Sequence, residues 1–366
     1  MSRYKKSRYG RKKKSYSIMP KTALVIFIIT VALLKTGIAA KMESAVSSVS
    51  SRFENALEAF SAFSKKQETN EEKPDDEASL PPAPDEEDLE QLVYESSQPI
   101  FFSSPQTEEI AAVTIDGSDG NYNGSGSVYI KNETDYDIDV QALLAAKDKV
   151  NLSGDAVQVL IMHTHGTEAY TPTNENSYIP SDTNRTTDSN HNMLRVGQLI
   201  CDILNENGIK TIHSETLNDY PSYSGSYTRA LEDISAYVKA NPSIKMVIDV
   251  HRDAMVSSSG TVYKAVANIN GSQAAQLMLV CGTDAGGLVH NGWRDNLSFQ
   301  LKLQEKLNSQ YPGIMRPLNI RKARFNEHVT SGSMLLEVGT SGNTLEEALV
   351  SARIFAESLS GILRDR

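Results

Sequence analysis

With 366 residues, a formal net charge of −10 and only two cysteines, the chain is too long and too poor in cysteine to be a disulfide-stapled mini-domain or a cysteine-built zinc module. Its length allows about two domains. The average charge misleads: eleven of the 36 basic residues and none of the 46 acidic ones lie in the first 41 positions, so residues 42–366 carry 25 basic against 46 acidic, about −21.

The head, residues 1–21, holds nine Lys/Arg and no acid. It is followed by "TALVIFIITVALLKTGIAA", Thr22–Ala40, a 19-residue apolar stretch close to the roughly 20 residues that a spanning helix needs. Lys35 interrupts it near the outer end, where a lysine can snorkel to the headgroups. The expectation is a transmembrane signal-anchor, with the basic head in the cytoplasm and everything after Lys41 outside. A cleaved signal peptide competes, because the uninterrupted core Thr22–Leu34 is short, but Ile38 spoils the small-residue cleavage site. A basic run beside a membrane segment already has an explanation, so no nucleic-acid partner is expected.

Residues 41–126 read as stalk and linker. Phe53, Leu57, Phe60 and Phe63 recur at helical spacing. "ETNEEKPDDEASLPPAPDEEDLEQ" is acidic, Pro-rich and has little to bury. Residues 99–126, with "GSDGNYNGSGS", look like a loose approach to a folded domain at 127–366. "VYIKNETDYDIDV" alternates well enough for an edge strand or two. Val157–Met162 is a continuous apolar run, as in a strand buried on both faces. In "NHNMLRVGQLICDILNENGI", Met193, Val196, Ile200, Ile203 and Leu204 share one helical face, and Gly208 stops it. "IKTIH" is a short strand and "GSYTRALEDISAYVKANP" a helix ended by Asn-Pro. "KMVIDVH", "VYKAVANI" and "AQLMLVCG" are strands, and "LSFQLKLQEKLNSQYPG" is a helix. "MRPLNIR" and "SMLLEVGT" are strands again. The closing helix, "NTLEEALVSARIFAESLSGILRD", is capped by Asn343 or Thr344 with Glu346 or Glu347 in its first turn. Alternating strand and helix make the class α/β, a largely parallel central sheet flanked by helices. Cys201 and Cys281 lie in apolar patterns and are expected as buried free thiols.

In such folds functional side chains gather beyond the carboxyl ends of strands. "VQVLIMHTHGTE" ends in His163, His165 and Glu168; "KMVIDVHRDA" ends in Asp249, His251 and Asp253; "SMLLEVGT" carries Glu337. A hydrolytic zinc site takes three protein ligands plus water, and a carboxylate to accept the water's proton. His165, Glu168 and His251 as Zn²⁺ ligands, with Glu337 as base, supply those parts in order. Each residue also has a plainer use. A strand-end histidine is more often hydrogen-bonded locally, and Glu337 in its apolar setting could belong to an ion pair. His163 is expected to orient rather than ligate. His191, His213, His290 and His328 lack a comparable setting, although His328 could reach substrate. There is no Gly-x-Ser-x-Gly elbow and no P-loop.

Together "VLIMHTHGTEAY", "VIDVHRDA" and "LLEVGTSGNTLEEA" resemble the stage II sporulation protein P family, which is related to zinc-dependent N-acetylmuramoyl-L-alanine amidases. Thr164-His165-Gly166, His251 and the "EVGTSGN" of Glu337–Asn343 stand where those amidases have a Gly-His-Gly turn, a second His and a Glu-x-Gly-x-x-Ser-Asn motif. The resemblance covers roughly Val128–Leu363. It implies hydrolysis of peptidoglycan at the N-acetylmuramoyl-L-alanine amide, with endopeptidase action on stem-peptide cross-links, during engulfment. It also implies the membrane and stage II sporulation proteins D and M as partners. In the related amidases the middle ligand is a Glu that opens the following helix. Here Asp188 or the Asn190–Asn192 stretch holds that place, so Glu168 is the expected ligand with Asp188 in reserve. A carboxypeptidase-like zinc peptidase, suggested by His-x-x-Glu, and an inactive wall-binding scaffold are the alternatives.

Overall fold

Apolar strand runs need cover on both faces, and helices with one apolar stripe supply it. The structure, a computed structural model, describes residues 110–150, 152 and 154–364. In chain order its elements are β1 (Ile110–Val113), β2 (Asn123–Ser125), β3 (Val128–Asn132), α1 (Val140–Ala145), β4 (Val159–Met162), α2 (Met193–Glu206), β5 (Thr211–His213), α3 (Ser226–Ala240), β6 (Met246–Asp253), β7 (Val262–Ile269), β8 (Ser272–Ala275), β9 (Leu277–Gly282), α4 (Trp293–Gln310), β10 (Leu318–Arg321), β11 (Met334–Thr340) and α5 (Leu345–Arg364).

Eight strands form the main sheet in the order β2-β3-β10-β9-β11-β6-β4-β5. Pairs are parallel except β2 with β3 and β9 with β11. The class is α/β, as the alternation of elements implies. β4 shows why its run is unbroken: Val159 and Ile161 face one core with the stripe of α2, while Leu160 and Met162 face another with Ala230 and Ile234 of α3. On α2 the buried residues include Met193, Val196, Ile200, Ile203 and Leu204, the stripe that the spacing predicts. Cys201 and Cys281 are buried free thiols.

Order begins earlier than expected. β1 pairs in parallel with β7, and with β8 they make a separate three-stranded sheet. Part of the supposed loose approach is therefore folded, because its partner strand lies about 150 residues away and no local pattern announces it. The basic head, Thr22–Ala40 and the acidic linker lie outside the described residues, and no described helix is long and apolar enough to cross a membrane. "TDYDIDV" belongs partly to a short helix, α1, capped by Asp139 accepting from Ala142 N–H.

The C-terminal helix α5 opens with a capping box. Glu347 N–H donates to Thr344 Oγ1, and Thr344 N–H donates to Glu347 Oε2. Asn343 holds the turn before it, donating to the Ala265 carbonyl and accepting from Thr340 N–H. Gly339, at φ +71°, takes a conformation that L side chains resist, and a Cβ there would come within 2.8 Å of Ala275 Cβ. The β11–β6 register shifts between Glu337 and Thr340.

α2 contains a second telling glycine. A Cβ on Gly197 would lie 2.5 Å from His163 Nε2 and 2.8 Å from His213 Nε2. In an exposed helix Gly→Ala would stabilise by about 1 kcal/mol. Here overpacking of a buried histidine pair wins, at about 1–3 kcal/mol. Gly197→Ala is therefore expected to lower the midpoint of denaturant unfolding, and a raised midpoint would show that the contact is soft.

Candidate active site at three strand ends

Parallel neighbours bring their carboxyl ends to one edge of the sheet. β11, β6 and β4 lie side by side, and their register puts Glu337 beside His251 and Met162 beside Asp249. Residues two apart on a strand share a face, so Asp249 and His251 project together from β6.

Beyond β4 the chain turns. Glu168 N–H donates to the His165 carbonyl at 3.2 Å, closing a tight turn that returns the Glu168 carboxylate to the strand ends. Gly166 sits where a Cβ would be 2.9 Å from Leu217 and 3.0 Å from Leu194. The loop after β5 clasps this turn. Asn218 Nδ2 donates to the His163 carbonyl, and the Asp219 carboxylate accepts from Thr167 N–H and Oγ1–H.

Among the residues expected at the site, His165 and His251 have perpendicular rings 5.2 Å apart. Glu168 Oε2 lies 3.8 Å from His251 Nδ1 and accepts from Arg252 N–H at 3.2 Å. Glu168 Oε1 is 3.4 Å from Arg185 Nη2 and 3.8 Å from Arg252 Nη1. His251 Nε2 is 2.8 Å from Asp249 Oδ1, an ion-pair distance out of line for a hydrogen bond. Asp249 itself accepts from Thr164 N–H at 2.8 Å and Thr164 Oγ1–H at 2.6 Å. The reserve residue Asp188 is turned elsewhere: its carboxylate, largely exposed, accepts from Asn190 N–H and pairs with His191 Nδ1 at 2.9 Å.

Charge is crowded here. Burial favours the neutral form of His251, but Asp249 first, then Glu168 and Glu337, outweigh it and raise the imidazole to about 9. Burial also opposes ionisation of Asp249, yet His251 and the Thr164 hydrogen bonds hold its carboxyl below the ordinary range. Burial, then the neighbouring Asp253, raises Glu337 to about 8. His165 is driven well below the usual histidine range, by burial first and then by His251.

The donor chemistry fits a divalent cation. Buried polar atoms without a hydrogen-bond partner are uncommon, and His165 Nδ1 and Glu337 Oε2 are two of them gathered in one site, beside a His251 Nε2 that has only its ion-pair contact with Asp249. Two imidazoles with carboxylate oxygen are zinc's usual company. Among the described residues no group of three or more His, Cys, Asp or Glu is arranged as a ready-made metal site. Instead His251 lies between Asp249 and Glu168, and Glu168 leans on Arg185.

A family profile described as stage II sporulation protein P matches residues 30–360. The chain belongs to the stage II sporulation protein P family. Stage II sporulation protein P of Bacillus subtilis (strain 168) is 26% identical over 224 residues, 58% of this chain and 53% of that relative. The matched region thus spans about half the length of that curated relative. Among solved structures, an N-acetylmuramoyl-L-alanine amidase from Clostridium difficile 630 is 14% identical, with 58% of this chain and 97% of that one covered and a TM-score of 0.35. One from Mycobacterium smegmatis is 13% identical, with 59% and 100% covered and a TM-score of 0.36.

His163, expected to orient a ligand, hydrogen-bonds elsewhere. Its Nδ1–H donates to the Val250 carbonyl at 2.8 Å, and its Nε2 meets His213 Nε2 at 2.8 Å. It fastens β4 to β6. Sequence reasoning missed His213, the last residue of β5, as that partner, because the pairing of β5 with β4 is long-range, and missed Arg185, Asp219 and Tyr223 because they stand on loops whose placement no periodicity reports. Tyr223 stacks on His165, with centroids 4.6 Å apart and planes 11° apart.

His290 and His328 meet each other instead, their rings 6.4 Å apart. Burial, helped by Arg324 and, for His290, by His328, lowers both to about 4. An unfolded chain protonates these rings near pH 6.5, so the unfolded state takes up protons first as pH falls. Stability contributed by the neutral pair is complete above about pH 6.5 and is lost as pH falls toward about 4. A His290→Asn/His328→Asn double variant should therefore lose less unfolding free energy between pH 7 and pH 5 than the parent chain. Equal losses in denaturant titrations at the two pH values would remove the pair from the acid response.

Proposed function

We propose that the chain is a membrane-anchored, zinc-dependent peptidoglycan hydrolase of sporulation. It cleaves the amide between N-acetylmuramic acid and L-alanine, with stem-peptide cross-links as a second target. Thr22–Ala40 is the anchor, and the catalytic body faces outward. The observation that carries the reading is the gathering of His165, Glu168, His251 and Glu337 at adjoining strand ends, with buried atoms that find no partner on His165 and Glu337. Family membership supplies the wall and sporulation context, and proteins D and M enter as partners on that resemblance alone.

His165, Glu168 and His251 would hold Zn²⁺. When bound, zinc would polarise the scissile carbonyl and lower the pKa of water. The chain's own groups divide the remaining work. Asp249 braces His251 from the Nε2 side, leaving Nδ1 toward Glu168. Arg252 N–H holds Glu168 Oε2, and the Arg252 side chain fixes the turn by donating to the Ala169 and Asn184 carbonyls. Glu337 exchanges the proton: it takes one from the attacking water and returns it to the leaving amine nitrogen. Burial, with Asp253 beside it, raises the proton affinity of the Glu337 carboxyl, the direction that suits a group taking and returning a proton. Crowding by Asp253 and Glu168 raises its proton affinity, while His251 and Arg316 limit the rise.

Full-length chain incubated with isolated peptidoglycan and zinc should release intact stem peptides free of sugar, read by mass spectrometry. Glu337→Gln keeps shape and hydrogen-bonding capacity but not basicity. It should bind zinc normally and lose about 10²–10⁴-fold in rate, whereas His251→Ala should lose the metal. Undiminished cleavage by Glu337→Gln would exclude it as the base, and stoichiometric zinc on His251→Ala would exclude that ligand.

A further inference from the structure

Hydroxyl groups inside a folded chain are usually hydrogen-bonded, and one that is not asks for a reason. Around the site the donors are committed. Thr164 Oγ1–H and Thr167 Oγ1–H go to the carboxylates of Asp249 and Asp219. Tyr170 and Tyr178 donate to the carbonyls of Val338 and Tyr170. Arg185 is held by Asp219, Arg229 by the carbonyls of Asn218, Ser222 and Ser224, and Arg252 by those of Ala169 and Asn184. Tyr227, half-buried in the first turn of α3, is different. Its ring stands at 87° to that of His165, with centroids 5.5 Å apart, and no group among the described residues hydrogen-bonds its hydroxyl. We propose that Tyr227 is a catalytic residue: its O–H donates to the carbonyl oxygen of the scissile amide as negative charge builds there.

This role rests on the hydrolase reading above and supplies what that reading lacks. With His165 and His251 given to a metal, the remaining groups of the site are carboxylates, which repel the oxygen that turns negative when water attacks an amide carbonyl. A donor already aimed at that oxygen needs no rearrangement as the charge forms. A carbonyl oxygen has two lone pairs, so a hydroxyl and a cation can share it. Tyr227 neither gains nor loses its proton, and proton exchange stays with Glu337. Burial first, then the charges of Asp249, Tyr223, Glu337 and Glu168, keep the proton on the phenol. The three carboxylates among them are those of the strand ends and the turn beside them, so the hydroxyl faces the site.

The placement of Tyr227 is built from behind. Its ring lies 5.8 Å from that of Phe325, and its carbonyl accepts from Asn326 Nδ2–H at 2.8 Å. Phe325 and Asn326 have φ of +49° and +59°, a left-handed backbone that a bulky residue such as phenylalanine resists. The buried Glu327 holds this turn in place. Its carboxylate accepts from Gly282 N–H and Gln300 Nε2–H, and its carbonyl accepts from Asn296 Nδ2–H. Strain that surrounding contacts keep in place gathers at working sites, and here it supports the tyrosine that flanks His165.

The test compares the full chain in detergent with its Tyr227→Phe variant, using zinc and soluble peptidoglycan fragments that carry stem peptides. The substitution removes one oxygen that no protein group holds, so the unfolding midpoint in denaturant and the bound zinc should match the parent's. Its kcat should fall about 10²–10³-fold, as when one oxyanion donor is lost, with KM little changed. Affinity for the phosphinate analogue of the muramoyl–alanine amide, whose charged oxygen mimics the developing one, should fall alongside kcat. Tyr220→Phe, on the loop before α3 and 53% exposed, should leave kcat unchanged. A kcat in Tyr227→Phe equal to the parent's overturns the proposal and leaves the hydrolase reading standing. A fall in kcat accompanied by lost zinc or a lowered unfolding midpoint also overturns it, because Tyr227 would then be a structural support. A parent chain that releases neither stem peptides nor cross-link fragments removes the hydrolase reading, and the proposal falls with it.

Discussion

The site depends on one buried carboxylate. Asp249 is 4% exposed, and a bare carboxylate at that depth would be costly. It is tolerated because Thr164 supplies two hydrogen bonds and His251 a charge. Those contacts also set the geometry. Thr164 belongs to the turn after β4 and His251 to β6, so the same carboxylate ties the turn to the sheet and orients the imidazole. Removing any one of the three would leave the others as unpaired buried polar groups, which is where large destabilisations arise.

Around that anchor, like charges are gathered on purpose. Glu168, Asp249 and Glu337 act on the His251 imidazole and Asp253 presses on Glu337, with Arg185, Arg252 and Arg316 as the nearby cations. A fold under no functional demand relieves such crowding by substitution. Here the strain is visible in two upward shifts with different causes: the His251 imidazole gains from the surrounding negative charge, whereas the Glu337 carboxyl suffers from burial and from that charge. Groups pushed this way gather at functional sites more often than elsewhere.

What could be read from sequence was whatever repeats at a short period. The stripe on α2, the unbroken run of β4 and the polar strand ends of β6 and β11 are local signals, and they place His165, Glu168, His251 and Glu337 in one region. Long-range pairings left no such trace. β1 joins β7, and β9 runs antiparallel to β11 within an otherwise parallel neighbourhood. The His-x-x-Glu spacing already favours Glu168 and holds Asp188 in reserve; what needed three dimensions is that the Asp188 carboxylate is occupied by Asn190 and His191. Tyr223 was invisible for the same reason: a tyrosine in "DYPSYSGSY" has no period and no motif, and its place comes from Arg229 holding the carbonyls on either side of it.

The site is therefore assembled from two kinds of material. Asp249, His251 and Glu337 stand on adjoining central strands, where register fixes them to each other. His165, Glu168 and Tyr223 stand on a turn and a loop, fixed by side chains: Asn218, Asp219, Arg185 and Arg229. Loop positions are less precise than strand positions unless neighbours lock them. The density of arginine and carboxylate contacts on the loop side follows from that need. The loop side therefore hangs on a handful of side-chain contacts, whereas the strand side is held by the register of the sheet beneath.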